Sequence, residues 1–274
     1  MGEIKIGCQS YSWQMLGDEW KGTLIDILDA VAYAGYEGFE CTLQILDDYY
    51  NKPPTKFKEA LTQRNLELAA LCLGFRFNEP DKIEDKLVAG KRMINYLKHF
   101  PAAVLLLSGG KTSSRNEFDE KFTTMCKVYN KIGQIAKEES IIVGVHPSSE
   151  SPPNTLPMIN SVEEYDKLLE QTDPNVVGFI PDTGHVVRAG YDVKELFKKY
   201  YDRIVHVHLK DIDVENRWRI MGEGIVNFKW LVDFLKDKKY KGWLILEEES
   251  DFAAEKTREA VRLNYQFIKK NFGL

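Results

Sequence analysis

The sequence predicts a (β/α)8 TIM barrel formed as one domain over residues 1–274. First, short apolar runs alternate eight times with helix-periodic segments along the chain. Second, the runs are apolar on both faces, as in parallel strands covered by helices on each side. Third, no G-x-G-x-x-G follows the first run and no Pro- or Gly-rich linker divides the chain. Eight repeats in this length fit a closed barrel better than an open doubly wound sheet.

The eight predicted strands are short apolar runs. They span residues 4–11, 36–42, 66–75, 102–110, 141–149, 176–185, 203–211 and 242–250. A segment with helical spacing of its apolar residues follows each strand. These predicted helices span residues 23–34, 55–64, 83–100, 116–138, 162–171, 193–200, 228–236 and 253–271.

Composition narrows the class of protein. The net charge of -5 disfavours a nucleic-acid binder, which usually carries a basic face. No apolar run approaches the roughly 18 residues that a membrane-spanning helix needs, and the first residues lack the pattern of a signal peptide. The four cysteines have no metal-type spacing, and three lie in predicted strands. We therefore expect a cytoplasmic protein without nucleic-acid or membrane partners.

The carboxyl ends of the predicted strands carry the candidate site, because barrel enzymes place their chemistry there. These ends are Gln9, Glu40, Gly74, Ser108, His146, Asp182, His208 and Glu247. Any one of the four in the second half is more often an ordinary polar strand end than a ligand. Two imidazoles and two carboxylates on four consecutive strands are harder to explain by chance. They fit a site for Mn²⁺, Zn²⁺, Co²⁺ or Fe²⁺.

Two histidines of the seventh strand differ in their expected roles. His206 and His208 are two residues apart and so share a strand face, with His208 nearer the top. His206 is expected to pack inside the barrel or to orient a ligand. Lys210 is either a solvated strand end or a cation that neutralises an enolate.

Other polar and aromatic residues leave two interpretations open. His185 is a helix-start residue or a substrate contact, and Trp13 and Trp218 either cover a sugar's apolar face or pack at the rim. Glu248 and Glu249 are expected to be loop or rim charges.

Several motifs together resemble the xylose isomerase-like barrel superfamily of sugar phosphate isomerases and epimerases. They are P-D-T-G-H (181–185), A-G-Y-D (189–192), H-V-H-L-K-D (206–211), G-E-G (222–224) and G-W-L-I-L-E-E (242–248). The resemblance covers essentially the whole chain and is nearest in pattern to the inosose dehydratase and inosose isomerase branch. It does not identify a substrate.

The resemblance implies a metal held by Glu, Asp, His and Glu from the last four strands. Asp182, His208 and Glu247 match this pattern, whereas His146 stands in place of the fifth-strand Glu. A similar fifth-strand His-Pro-His occurs in the inosose dehydratase branch, although Ser148 replaces its second His here. This departure disfavours an epimerase that uses two metal-bound glutamates, and Glu150 is a candidate substitute carboxylate.

The function that the resemblance implies is a divalent-metal-dependent isomerase, epimerase or dehydratase (a lyase) of carbohydrate metabolism. It would act on a keto-sugar or keto-cyclitol through a metal-stabilised enediolate, with Mn²⁺ as the first expectation and Zn²⁺, Co²⁺ or Fe²⁺ as alternatives. The expected roles are as follows: metal ligands His146, Asp182, His208 and Glu247; catalytic residues Glu247, His146 and His185; substrate contacts Lys210, His185, Trp13 and Glu40.

The sequence also bears on two other functions. A non-catalytic sugar-binding or partner-binding barrel would also show a substituted fifth-strand ligand. Endonuclease IV-like DNA repair is disfavoured, because Asn216 and Trp218 stand where its additional zinc ligands would be. The reaction class, the substrate and the oligomeric state, including a homodimer or homotetramer, stay open.

Overall fold

The computed structural model describes residues 4–20, 22–46, 48–74, 77–149 and 154–274. Its strands are β1 Ile4–Gln9, β2 Gly38–Thr42, β3 Glu67–Leu73, β4 Val104–Ser108, β5 Lys111–Thr112, β6 Val143–His146, β7 Leu156–Pro157, β8 Gly178–Phe179, β9 Val207–Leu209, β10 Asp211–Ile212, β11 Trp218–Arg219 and β12 Gly242–Leu246.

The α-helices are α1 Tyr11–Gln14, α2 Leu24–Ala34, α3 Leu43–Leu46, α4 Asp48–Asn51, α5 Pro54–Thr62, α6 Ile83–Leu97, α7 Phe118–Glu138, α8 Val162–Gln171, α9 Thr183–Arg188, α10 Val193–Tyr200, α11 Phe228–Asp237 and α12 Asp251–Phe272. Three short 3-10 segments lie at Gly17–Glu19, Pro80–Lys82 and Tyr201–Arg203.

All eight predicted strands are present, and a helix follows each one before the next begins. The fold class is thus the predicted (β/α)8 TIM barrel. The strands are shorter than the apolar runs, because the residues at their carboxyl ends leave the sheet to form loops. The two-stranded pairs β5–β7 and β10–β11 were not predicted.

The predicted strand over residues 176–185 is wrong beyond Phe179. Strand β8 covers only Gly178–Phe179, and helix α9 begins at Thr183. The Asp182 carboxylate accepts a hydrogen bond of 2.7 Å from the backbone N–H of His185. That bond satisfies a donor in the first turn and starts the helix. Asp182 is therefore a helix cap, and His185 lies on a helix rather than on a strand.

The described chain divides into two compact units, the first formed by Met1–Ala70 with His206–Leu274. Its strands pair in the order β3-β2-β1-β12-β9. The parallel register places Gln9 beside Glu40 and Ile245 beside His208. Gln9 of β1 therefore lies next to Glu40 of β2, and β12 lies between β1 and β9 in the sheet.

The second unit is formed by Leu71–Val205. Strand β4 pairs in parallel with β6, which places Ser108 beside His146, and β6 pairs in parallel with β8. A Cβ on Gly144 would lie 2.6 Å from a carbon of Ile180. This strand can therefore pack as it does only with glycine at that position. The single-domain organisation over residues 1–274 stays a prediction.

No α-helix in the described parts of the chain combines the length and the apolar content that a bilayer crossing requires.

Candidate active site

In the first unit, His206 and His208 lie on the same side of strand β9, as their spacing predicted. Their ring centroids are 5.6 Å apart, and neither residue has exposed surface. Both rings face Glu40, which lies in the middle of β2 and is also fully buried. The Nε2 atom of His206 lies 2.8 Å from Glu40 Oε2. A carboxylate and two imidazoles thus share one buried position.

Glu40 contacts the second histidine and a strand neighbour as well. The Nε2 atom of His208 lies 3.0 Å from Glu40 Oε1 and 3.1 Å from Oε2. The side-chain amide of Gln9 donates to Oε1 at 2.9 Å. Burial alone would raise the pKa of Glu40, but the two histidines outweigh it and lower that pKa to about 2. Glu40, predicted as a substrate contact, is thus an ionised internal acceptor.

The two histidines have opposite charge preferences. Burial lowers the pKa of His206, against the opposing effect of Glu40, so this ring is neutral and donates its Nε2–H to the carboxylate. Burial also disfavours charge on His208, but Glu40 and Glu247 together raise its pKa to about 10. The Nδ1 atom of His208 lies 2.6 Å from Glu247 Oε2. Each of its ring nitrogens therefore faces a carboxylate.

Glu247 links His208 to Lys210. The Lys210 ammonium lies 3.3 Å from Glu247 Oε1 and 2.5 Å from Glu249 Oε1. Burial raises the pKa of Glu247, but Lys210 and His208 overcome it and hold that pKa well below its usual range. The ring of Trp218 lies 4.0 Å from the same ammonium. The buried cation is thus held by two carboxylates and an aromatic face.

Glu248 and Glu249 lie in the loop after β12, as predicted, but neither is an exposed rim charge. Glu248 is 3 % exposed. It accepts hydrogen bonds from the backbone of Ser250 at 2.8 Å and from the Asn264 amide at 2.7 Å. Glu249 contacts Lys210 and its side chain is 8 % exposed. Both side chains point inward, because Glu248 accepts from Asn264 of α12 and Glu249 contacts Lys210.

Asp211 explains the G-E-G motif. Its carboxylate accepts backbone N–H groups from Ile212, Gly222, Gly224 and Val226, at 2.8 to 3.2 Å. A Cβ on Gly224 would lie 2.3 Å from Asp211 Oδ1. Burial raises the pKa of Asp211, although these donors oppose it. The motif therefore closes a loop that carries Trp218.

In the second unit, His146 and His185 form the other group of predicted site residues. His146 ends strand β6, and its ring packs edge-on against His185 with centroids 5.8 Å apart. Both rings are almost fully buried, as is Asp182. The Nδ1 atom of His185 lies 2.7 Å from the Ser149 hydroxyl and accepts the Ser149 backbone N–H at 3.2 Å. Ser149 was not predicted, because this contact joins residues 36 positions apart.

Trp13, Glu150 and Gln9 are the remaining residues that the sequence singled out. Trp13 lies on α1, directly after β1, and is 3 % exposed. Glu150, the candidate substitute carboxylate, lies outside the described residues. Gln9, predicted only as a strand end, lies next to Glu40 because of the strand register. The roles of His146, Asp182, His208, Glu247, His185, Lys210, Trp13 and Glu40 stay predictions.

A family model described as the xylose isomerase-like TIM barrel matches residues 28–270. The chain therefore belongs to the xylose isomerase-like TIM barrel family and is an enzyme of that superfamily.

An inosose dehydratase from Clostridium perfringens is 26% identical, covering 99% of this chain and 98% of the relative. Among solved structures, a sugar phosphate isomerase/epimerase from Parabacteroides distasonis has a TM-score of 0.76 at 20% identity, covering 98% of this chain and 95% of that one. An IOLI protein with a bound zinc atom has a TM-score of 0.81 at 16% identity, covering 99% and 100%. These two structural likenesses show the shared fold.

Proposed function

We propose that this protein is a divalent-metal-dependent enzyme that dehydrates an inosose or a closely related keto-cyclitol or keto-sugar. The observation that carries the proposal is the buried contact of Glu247 with both His208 and Lys210. It places an ionised carboxylate beside a buried cation and an imidazole that we propose as a metal ligand. Relatives named inosose dehydratase match nearly the full length of the chain, and they favour dehydration over isomerisation or epimerisation.

The donor types fit a divalent cation. Within the first unit, the His208 imidazole and the Glu247 carboxylate lie 2.6 Å apart and are buried. In the proposal, His146 and Asp182 supply the other two ligands. Two nitrogens and two carboxylate oxygens suit Zn²⁺ and Mn²⁺ alike, and we propose Mn²⁺ as the working ion. When bound, such a cation polarises the substrate carbonyl as a Lewis acid.

Glu247 is the proposed base. Its contacts with Lys210 and His208 keep it ionised despite burial, and only the ionised form can accept a proton. It removes the proton from the carbon next to the carbonyl, and the electron pair of that C–H bond moves toward the carbonyl oxygen. His146 is the alternative base if it is not a ligand. Lys210 lies within reach of both Glu247 and Glu249 and offsets the developing negative charge.

Dehydration then requires loss of the hydroxyl on the next carbon. The C–O bond breaks, the enolate electron pair forms the C=C bond, and the departing hydroxyl takes one proton to leave as water. Either His185 or the newly protonated Glu247 can supply this proton. Trp13 and Trp218 are proposed to cover the apolar face of the ring, and Trp218 is held in place against Lys210.

The test is incubation of the metal-loaded protein in D₂O with an inosose, keto-sugars and sugar phosphates, followed by NMR. We expect deuterium at the α-carbon and loss of the β-hydroxyl for the inosose. Glu247→Gln should abolish both, whereas Glu255→Gln, at an exposed position on α12, serves as the matched control. Unchanged exchange in Glu247→Gln would refute the assigned base. Exchange without water loss would instead identify an epimerase or isomerase.

A second candidate is a sugar-binding or partner-binding barrel without catalysis, favoured by His146 at the place of the family's fifth-strand Glu. Metal analysis of protein purified without chelator distinguishes the proposed enzyme from a binding barrel. An enzyme of the proposed kind should hold a divalent cation in stoichiometric amount. Protein that holds none, and that does not exchange the α-proton with added Mn²⁺ or Zn²⁺, would support the second candidate.

A further inference from the structure

Ser149 and His185 make a contact whose chemistry fixes where the imidazole proton lies. Ser149 is in the loop after β6, and His185 is on α9 with 1 % of its surface exposed. The backbone N–H of Ser149 points at Nδ1 of His185 at 3.2 Å. The Ser149 hydroxyl lies 2.7 Å from the same nitrogen. The backbone N–H and the hydroxyl of Ser149 thus both contact the Nδ1 atom of His185.

A backbone N–H can only donate a hydrogen bond, so the atom that receives it must present a lone pair. The Nδ1 atom of His185 is therefore the acceptor nitrogen, and the ring proton lies on Nε2. The Ser149 hydroxyl can rotate to donate to Nδ1 as well. A proton on Nδ1 could be accepted by the hydroxyl oxygen, but it would leave the Ser149 backbone N–H facing another N–H without an acceptor.

We propose that Ser149 is a positioning residue that fixes the ring proton of His185 on Nε2. His185 then serves the reaction as a hydrogen-bond donor to a substrate oxygen, not as the acid that protonates the leaving hydroxyl. This role rests on the proposed function. An acid of that kind needs a proton on each ring nitrogen, and the Ser149 N–H occupies the place of the second one.

The assignment has a consequence for dehydration. With His185 retaining its proton, the protonated Glu247 returns the proton that it took from the α-carbon. The bonds broken are the α-carbon C–H and the β-carbon C–O, the bond formed is C=C, and the hydroxyl leaves as water with that same proton. One carboxyl group therefore acts first as base and then as acid.

The tautomer is measured directly by two-bond ¹H–¹⁵N correlation spectra of uniformly labelled, chelator-treated protein without substrate. His185 is assigned by the signals that disappear in His185→Gln. We expect the pattern of a ring with hydrogen on Nε2. A pattern with hydrogen on Nδ1, or on both nitrogens at neutral pH, overturns the proposal. Because no substrate is present, this result is independent of the proposed reaction.

The part played by Ser149 is tested with Ser149→Pro and Ser149→Ala. Proline removes the backbone N–H that points at Nδ1 of His185, whereas alanine removes only the hydroxyl and keeps the N–H. We expect Ser149→Pro to show a mixture of tautomers and turnover reduced about tenfold, as for other residues that orient a histidine, and Ser149→Ala to keep hydrogen on Nε2. A Ser149→Pro protein with the wild-type spectrum and unchanged turnover contradicts the positioning role.

Substitutions of His185 itself show whether this residue acts as a hydrogen-bond donor or as a general acid. Glutamine places an amide N–H near the position of Nε2 but cannot transfer a proton, whereas leucine offers neither. We expect His185→Gln to keep turnover of an inosose within about tenfold and His185→Leu to lose about 10²–10³-fold. Equal loss in both variants identifies an acid and overturns the donor role. If the wild-type protein turns over none of the tested substrates while the tautomer is as expected, the proposed function fails and the tautomer assignment stands.

Discussion

Glu40 and His208 lie in direct contact in the interior of the protein, with His208 Nε2 3.0 Å from Glu40 Oε1 and neither side chain exposed. The contact fixes the plane of the imidazole and leaves its Nδ1 atom directed at Glu247, 2.6 Å away. Metal-ligating histidines commonly donate their second nitrogen to a carboxylate that sets ring orientation and basicity. Glu40 has the position and the charge to orient His208 in this way. Hydrogen bonds from His206 and Gln9 in turn fix the Glu40 carboxylate.

Replacing Glu40 by glutamine should therefore weaken metal binding without removing any proposed ligand. Loss of the charge lowers the basicity of His208, and loss of the acceptor frees its ring to rotate. We expect the affinity for Zn²⁺ to fall about 10- to 100-fold, measured by competition with a chromophoric chelator.

The control for this change is Glu37→Gln, at an exposed position before β2. It should bind Zn²⁺ as the wild-type protein does. Circular dichroism and thermal unfolding of both variants show whether the fold is kept. Equal affinities for Glu40→Gln and the wild-type protein, with the fold intact, would mean that Glu40 does not act through His208.

The metal-free protein should lose stability as the pH rises from about 6.5 toward 10. The pKa of His208 is raised to about 10 in the folded state, against the ordinary value of 6.5. A raised pKa means that the folded state holds the proton more tightly, so the stabilisation is complete below pH 6.5 and disappears as pH passes 10. Chemical unfolding in the presence of EDTA, repeated across this range, measures the effect.

His208→Gln should flatten this part of the pH profile, whereas His99→Gln, an exposed histidine after α6, should not. Glu40 should produce a second change in stability, at low pH. Because the pKa of Glu40 is lowered to about 2, its stabilisation is present above pH 4.5 and is lost as pH falls from 4.5 toward 2. Parallel profiles for wild-type and His208→Gln proteins between pH 6.5 and 10 would contradict the assigned charge on His208.

Lys210→Met should shift the pH dependence of the reaction. Without the ammonium, Glu247 and Glu249 lose the cation between them, so the pKa of Glu247 rises. The low-pH limb of the rate profile should then move to higher pH. We also expect kcat to fall about 10²–10³-fold, because the charge that offsets the developing oxyanion is gone.

Steady-state kinetics across the pH range, with an inosose in D₂O or H₂O, provide the measurement. Lys229→Met is the matched control, because Lys229 is exposed on α11 and pairs only with another surface residue among its described contacts, Asp233. A Lys210→Met enzyme with an unshifted low-pH limb would show that Lys210 does not set the protonation of the base.

Asp211→Asn should loosen the loop that carries Trp218. One amide oxygen can replace one carboxylate oxygen, but the amide NH₂ then faces backbone N–H donors from Gly222 and Gly224, or from Ile212 and Val226. Two buried hydrogen bonds to a charged group are lost, so we expect the free energy of unfolding to fall by about 3 kcal/mol. Denaturant unfolding measures this change.

Hydrogen exchange over residues 213–221 should increase in the same variant, since the backbone donors at the loop end lose their acceptor. Asp202→Asn, at an exposed position, is the control and should leave both stability and exchange unchanged. Wild-type exchange in this segment of Asp211→Asn would show that other contacts hold the loop.

The fold was predictable because strand and helix periods leave a clear pattern along the chain. The segment around Asp182 shows the limit of that pattern. Its apolar run continues past the end of β8, and the Asp182 carboxylate caps the helix that begins at Thr183 through a bond from the His185 backbone. Apolar sequence alone does not distinguish a strand from the loop that leaves it, whereas a single side-chain oxygen does.

The candidate site was predictable where it depends on one strand and its period. His206 and His208 share a face because they are two residues apart, and the structure confirms this. Contacts between distant residues were not predictable in the same way. Ser149 reaches His185, and Asn264 reaches Glu248, because separate elements meet in space. No local pattern marks either pair.

The Asp211 carboxylate holds both ends of the loop that follows β10. The carboxylate ties the segment at Ile212 and again at Gly222 and Gly224, so the anchoring chemistry does not depend on the residues in between. Exchanges at the exposed residues 214–217 can accumulate while β9 and Lys210 stay where they are. The protein thus has a variable surface turn beside Lys210, the most buried of its described lysine and arginine residues, where substrate preference can change in small steps.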